Sequence, residues 1–302
     1  MGFEYWFMFP TAILIATIAM ASGVEGATFF TPLFILGLGL PTEVAVGTGL
    51  ITETFGFSSG LYAYVRRGLI DYELGQRLLL VTVPLALLGT WVAQGIPSDV
   101  LKGILGVGLL AIAVSFLGAA ASSPPGQQAV SQAVPQGADS PTQPTPIPQT
   151  CITAATGETL CYTVTNPTEG RVLSGLGALF LGMVSTGLGE MNGYFLIQRC
   201  RVPSKVAVAT SVFVVAITAL TASLGHGVQF VRTGGETLST VLSLVKFTVP
   251  GVLIGAQVGS MVASRLSPQF LERAMGLLFV AVGALVLGEV LLSHRSALAA
   301  LL

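Results

Sequence analysis

Ser22-Gly23-Val24-Glu25-Gly26-Ala27-Thr28 and Ser185-Thr186-Gly187-Leu188-Gly189-Glu190-Met191-Asn192 are two glycine-rich breaks, each set inside an apolar run. Each is followed by a helix start of one design. The first is Leu40-Pro41-Thr42-Glu43-Val44-Ala45-Val46-Gly47-Thr48, and the second is Val202-Pro203-Ser204-Lys205-Val206-Ala207-Val208-Ala209-Thr210. In a bilayer, unwound backbone is tolerated only where protein or a water-filled cavity satisfies its N–H and C=O groups. Interrupted apolar segments at matching places in two halves are the sequence mark of a transporter's binding site.

Composition fits that reading. Of 302 residues, 52% are hydrophobic and 9% charged, against about 25% charged in a soluble domain. Mean hydropathy is +0.82. The chain therefore reads as an all-α polytopic membrane protein whose partners are the lipid bilayer and a small solute. A net charge of −1 offers no basic field for nucleic acid. The first apolar run begins with acidic and aromatic residues, Glu4, Tyr5 and Trp6, and reads as a retained helix, not a cleaved signal.

The chain divides into a first transmembrane repeat, 1–120, a linker, 121–170, and a second repeat, 171–302. Residues 6–21 and 27–39 are two short apolar helices either side of the first break. Each is shorter than the ~20 residues of a straight span. Two readings fit: one long kinked helix, or two half-helices that enter and leave on one face. Helices follow from Pro41 to about Tyr64, from Tyr72 to Gln94 and from Pro97 to about Ala120. The linker is rich in Pro, Gln, Ser and Thr and contains no Lys or Arg. Its first part, 121–150, reads as disordered. Its second part places Cys151 and Cys161 on the arms of a hairpin that turns at Gly157, as a candidate disulfide. The second half repeats the first, with helices at 172–184, from Pro203 to about Phe230, at 238–264 and from Pro268 to about Leu292. Each half has four hydrophobic units.

Positive residues favour the cytoplasmic side of short loops. If every unit crosses once, the halves are parallel. Arg66, Arg67, Arg77, Arg171, Arg232 and Arg295 then face Lys102, Arg199, Arg201, Lys205, Arg265 and Arg273, with no bias. If the broken unit of each half is re-entrant, the halves are inverted. Arg66, Arg67, Arg77, Arg171, Arg199, Arg201, Lys205, Arg265 and Arg273 then share one face against Lys102, Arg232 and Arg295. The inverted arrangement is the expectation. It puts the linker in the cytoplasm, where a Cys151–Cys161 disulfide is out of place.

The two breaks, the Pro-x-x-Val-Ala-x-x-Thr starts, Tyr64-Val65-Arg66-Arg67-Gly68-Leu69-Ile70-Asp71 and the glycine-rich Pro84–Gly95 helix ending in Ile96-Pro97 resemble the sulfite exporter TauE/SafE family. The resemblance covers nearly the whole chain outside 121–170. It implies a secondary transporter of small anions, commonly sulfite, thiosulfate or organosulfonates, and the expected location is the bacterial inner (cell) membrane. The chain departs from the pattern in placing acidic Glu25 and Glu190 where members often have a further glycine, and in the length of its linker.

Glu25 and Glu190, with Glu53 in the following helix, are candidate proton-coupling groups, because a carboxylate inside a membrane protein is expensive and usually serves an ion path. The alternative is that they cap helix N-termini exposed by the breaks. A proton carried with the anion would neutralise the negative charge at such a site. Candidate anion-binding residues are Ser22, Gly23, Gly26, Thr28, Thr48, Ser185, Thr186, Gly187, Gly189, Asn192 and Thr210. They combine small hydroxyl and amide donors with glycines that let backbone N–H groups approach. Equally, each hydroxyl can bond its own helix carbonyl. Lys246 either attracts the anion, pairs with Glu53 or reaches an interface. His226 is either a proton group or a residue near a helix end. Gly251, Gly255 and Gly259 form a double GxxxG contact. No His or Cys spacing suggests a metal, no cofactor is expected, and no nucleophile constellation supports an enzyme. Rival readings are an anion channel and a transporter of another small carboxylate or of a metal ion. The protein is expected as a monomer or homodimer.

Overall fold

A computed structural model describes residues 4–22, 24–122, 150–262 and 268–299. Residues 1–3, Gly23, 123–149, 263–267 and 300–302 lie outside them. In chain order the elements are α1 (Met8–Ser22), α2 (Ala27–Pro32), α3 (Thr42–Arg67), α4 (Tyr72–Ala93), α5 (Ser98–Ser122), β1 (Thr150–Thr153), β2 (Thr159–Tyr162), α6 (Pro167–Val184), α7 (Leu188–Gly193), α8 (Ser204–Thr233), α9 (Gly235–Val262) and α10 (Pro268–Ala299). A π-helical turn extends α2 over Leu33–Gly37, and another extends α7 over Tyr194–Arg199. The described chain is thus mostly helical. It contains five helices long and apolar enough to cross a membrane: α4, α5, α8, α9 and α10.

Local chemistry sets the boundaries. Pro41 and Pro203 precede the first residues of α3 and α8, where a missing N–H costs nothing because no helical partner exists for it. Asp71 caps α4, its Oδ1 accepting from the Leu74 N–H at 2.9 Å. Gly68 ends α3 with φ 65, a left-handed conformation open to glycine. That stop lets α3 run three residues past Tyr64, to Arg67. Gly187 has φ 113 and reverses the chain, so a turn of helix forms inside the expected break.

The contact pattern maps onto itself when the halves are exchanged. α1 packs on α9, and its counterpart α6 packs on α4. α3 packs on α9, and its counterpart α8 packs on α4. α3 meets α8, and α5 meets α10. Directions follow from residue pairs. Gly47 lies against His226 and Phe230 while Thr54 bonds Ser223, so α3 and α8 are antiparallel. Lys102 pairs with Glu289 while Gly276 faces Leu117, so α5 and α10 are antiparallel too. α7 and its π-turn run back along α6: Ser174 bonds Asn192, Gly170 faces Phe195 and Glu169 pairs with Arg199.

Without a hydrophobic force between helices in lipid, close packing of small residues carries association. A Cβ at Gly251, Gly255 or Gly259 would meet the carbonyls of Phe9, Ile13 and Thr17 at 2.7, 2.5 and 2.6 Å. The double GxxxG stripe is therefore an internal contact with α1. Gly182 and Gly89 do the same service between α6 and α4. α8 is the central element: 72% of its apolar stretch is buried, against 28–39% in the other four long apolar helices.

The strands pair antiparallel, with Cys151 opposite Cys161 and a disulfide joining them. This hairpin sits at one end of the bundle. The Ala155 N–H donates to the Arg67 carbonyl at 2.9 Å, and Lys205 pairs with Glu158 at 2.8 Å. The α3–α4 loop, the start of α6 and the start of α8 therefore gather at this hairpin end. At the opposite end, Thr42 at the start of α3 bonds Ser98 at the start of α5.

Candidate functional site

The two breaks meet. Thr28 on α2 donates to Thr186 at 2.8 Å, and Thr31 bonds Ser185 at 2.5 Å. The Gly189 N–H of α7 donates to Glu25 Oε1 at 2.5 Å. Every one of these bonds joins the first half of the chain to the second. Glu190 Oε2 accepts the Gly187 N–H at 3.2 Å, the reach of an N3 glutamate back to its own N-cap. Both break acids therefore sit on the N-terminus of α7, whose free N–H groups and positive dipole end favour negative charge. The capping alternative describes these two bonds.

The two acids are not symmetry mates. Glu25 precedes the first residue of α2 by two, whereas Glu190 follows the first residue of α7 by two. The first half instead supplies Glu53, from α3. Its carboxylate lies beside Gly26 at the start of α2, 4.0 Å from where a Gly26 Cβ would stand. Glu25, Glu53 and Glu190 are close enough to act on one another electrostatically. Glu25 and Glu53 are buried and Glu190 is half-buried, and Glu25 Oε2, Glu190 Oε1 and both Glu53 oxygens lack a close hydrogen-bond partner among the described residues. A buried, unpartnered carboxylate oxygen is costly.

Asn192 accepts from Ser174 at 2.5 Å, and among the described residues its Nδ2 donor and the Thr48 hydroxyl find no partner. Thr31 belongs with the break residues although it was not among the sequence candidates. It lies three positions after Thr28, on the same face of α2, and that spacing was the available signal. A cavity of about 40 Å³ opens beside Glu53 and Gly26. It is lined by small and apolar side chains of α1, α3, α8 and α9, and it reaches Tyr64 and Val208 near the hairpin end.

Two candidates stand elsewhere. Lys246 is exposed, with its ammonium 5.6 Å from the centre of the Phe247 ring. Thr210 is buried at the hairpin end, where its hydroxyl accepts the Asp71 N–H at 3.0 Å. Gly23 and the side chain of Ser22 lie outside the description. His226 is buried, with Nε2 3.2 Å from the Gly182 carbonyl. Among the described residues, no group of three or more His, Cys, Asp or Glu is placed to hold a metal ion.

Two broken helices that meet tip to tip, inside long apolar helices, are transporter architecture. The sequence from residue 8 to residue 286 matches the family described as Sulfite exporter TauE/SafE. The chain belongs to the sulfite exporter TauE/SafE family. Its relatives carry membrane-transporter names. It is 24% identical to the probable membrane transporter protein YunE of Bacillus subtilis over 82% of this chain and 81% of that protein. It is 33% identical to the probable membrane transporter protein ORF9 of a Sinorhizobium species over 36% of this chain, and 27% identical to YjnA of Bacillus subtilis over 35%. The chain spans less than half the length of these last two, 41% and 43%. No solved structure matches. This TauE/SafE protein is an integral membrane protein of a transporter family.

Proposed function

We propose that this TauE/SafE protein is a secondary transporter that moves a small anion, a sulfur oxyanion or organosulfonate, across a bacterial inner membrane. The observation that carries the reading is the junction of the two breaks. The Thr28–Thr186 and Thr31–Ser185 pairs and the Gly189 N–H converge where two helices begin. Converging neutral donors suit a tetrahedral oxyanion, and helix N-termini favour its charge. A solute there displaces bonds that tie one half to the other, which couples its binding to relative motion of the halves.

The architecture we infer is an inverted repeat flanking a linker. The antiparallel α3/α8 and α5/α10 pairs and the α6–α7 hairpin support it. Arg66, Arg67, Arg77, Arg171, Arg199, Arg201 and Lys205 lie towards the hairpin end, and Lys102 and Arg232 towards the other. By the positive-inside rule the hairpin end then faces the cytoplasm. Glu25, Glu53 and Glu190 carry the coupling. An anion entering beside three carboxylates needs compensating positive charge, and protons taken up by those carboxylates supply it.

The test is uptake by proteoliposomes of labelled sulfite, thiosulfate, sulfate, a short organosulfonate and a short carboxylate, with and without a pH gradient. Saturable flux of a sulfur anion, with counterflow, is the expected result. Absence of flux for every anion in folded protein contradicts it. Non-saturating flux without counterflow marks a channel instead.

A further inference from the structure

Two observations at the hairpin end pull in opposite directions. The arginines and lysines gathered there mark a cytoplasmic face, on the inverted-repeat reading above. The same end carries a disulfide, and the cytosol keeps structural thiols reduced. A cytosolic disulfide is typically a transient, redox-sensing one, and both Cys151 and Cys161 are exposed.

The hairpin that they staple touches both halves of the transporter. On the first-half side, Ala155 donates to the Arg67 carbonyl and the Tyr162 hydroxyl donates to Asp71 Oδ2 at 2.6 Å. Asp71 in turn caps α4 through Oδ1 and gives its own N–H to Thr210 on α8. On the second-half side, Glu158 pairs with Lys205, and Tyr162 packs with Phe195, Val202 and Val206. Ala154 and Leu160 pack with Tyr64 and Ala209. Tyr64 and Val208 line the hairpin end of the cavity that leads to Glu53.

We propose that the Cys151–Cys161 pair is a redox-modified latch: oxidised, it holds the hairpin across the two halves and closes the cytoplasmic mouth of the path, and reduced, it releases them. A dithiol reductant attacks one sulfur, passes through a mixed disulfide and leaves as its own disulfide, so two electrons and two protons arrive at Cys151 and Cys161 as two thiols. A glutathione-type disulfide reverses the exchange. The strands are four residues each, too short to be independently stable, so the covalent staple has leverage over whether they stay paired.

Cys200 is a built-in reporter. It is buried under the hairpin, with its thiol donating to the Thr165 carbonyl at 3.3 Å. It is the single cysteine left in a Cys151→Ser/Cys161→Ser chain. Its maleimide labelling should be about ten- to a hundredfold faster in that variant than in the oxidised wild type, the range expected when a short-loop staple is removed. Wild type treated with a dithiol, with each cysteine followed by peptide mapping, should show the same rise at Cys200. Equal rates in both comparisons overturn the latch.

Redox state and side are read in cells. The pair should be thiol at rest, become disulfide under a thiol-oxidising diazene and return on washing. A membrane-impermeant maleimide should reach it only from the cytoplasmic side. A pair that stays oxidised under dithiol, or is labelled from outside intact cells, overturns the proposal and makes the disulfide an extracytoplasmic clip. None of these readouts needs a transported substrate, so they fail independently of the transport reading.

Discussion

Glu25 Oε1 accepts the backbone N–H of Gly189 across 164 residues of sequence. This bond places a carboxylate of the first repeat on the helix N-terminus of the second. The group that holds the two breaks together is thus a carboxyl group, occupying a position that a small oxyanion would also favour. On the proposed function, protonation of Glu25 and displacement from the Gly189 N–H are one event seen from two sides.

The close approach of α4 and α6 gives a stability prediction. A methyl at Gly182 would drive into the Ala86 carbonyl and come within 2.9 Å of the Thr90 nitrogen, whereas a methyl at Gly103 meets nothing within 4 Å. Gly182→Ala should destabilise the protein by about 1–3 kcal/mol, and Gly103→Ala should not destabilise it. Thermal unfolding in detergent compares the two. Equal behaviour would remove the claim that backbone contact at Gly182 holds these helices.

Two buried threonine pairs bridge corresponding pairs of helices: Thr52–Thr248 joins α3 to α9 at 2.8 Å, and Thr82–Thr218 joins α4 to α8 at 2.9 Å. Hydrogen bonds between membrane helices couple by about 0.6 kcal/mol on average. Double-mutant cycles with Thr→Val changes should return about that value for each pair. A cycle near zero at both would show that packing, not the bonds, fixes these crossings.

Tyr162 gives the pH dependence. Burial, then its hydrogen bond to Asp71 and the charge of Asp71, push its phenol above the ordinary value of 10.0. Its folded form keeps the proton where the unfolded chain loses it, so stability falls as pH rises through and above about 10. Tyr162→Phe should lose the Asp71 bond, lower stability below that pH and flatten the alkaline decline. Ultraviolet titration of tyrosinate in wild type and variant reads both. A Tyr162 that ionises with the exposed tyrosines contradicts the buried Asp71 contact.

Lys246→Gln should change anion flux by less than about twofold, as a surface substitution does, while Thr186→Val should reduce it severalfold by removing the partner of Thr28. Parallel flux measurements separate them. The reverse ranking would return Lys246 to the site.

Much of this was legible before the structure. Pro41 and Pro203 mark helix starts because the ring tolerates those positions, and Gly157 marks the hairpin turn. The breaks stood out because glycine clusters interrupt apolar runs. What sequence withheld was which side of a helix faces inward. Thr248 is buried against α3 and Lys246 is exposed, two residues and about 200° apart on one helix. In a chain apolar on every face, periodicity does not separate the bilayer side from the protein side. The hub at Asp71 was unreadable for a different reason: its partners Tyr162 and Thr210 come from segments far away in the chain.

The most direct measurement is pH-gradient-driven uptake of a labelled sulfur anion by proteoliposomes containing wild type, Glu25→Gln or Glu190→Gln. The account predicts uphill, saturable uptake in wild type, and in the variants retained downhill flux that no longer follows the proton gradient. Variants that respond to the gradient as fully as wild type would contradict it, and the carboxylates would then be helix caps alone.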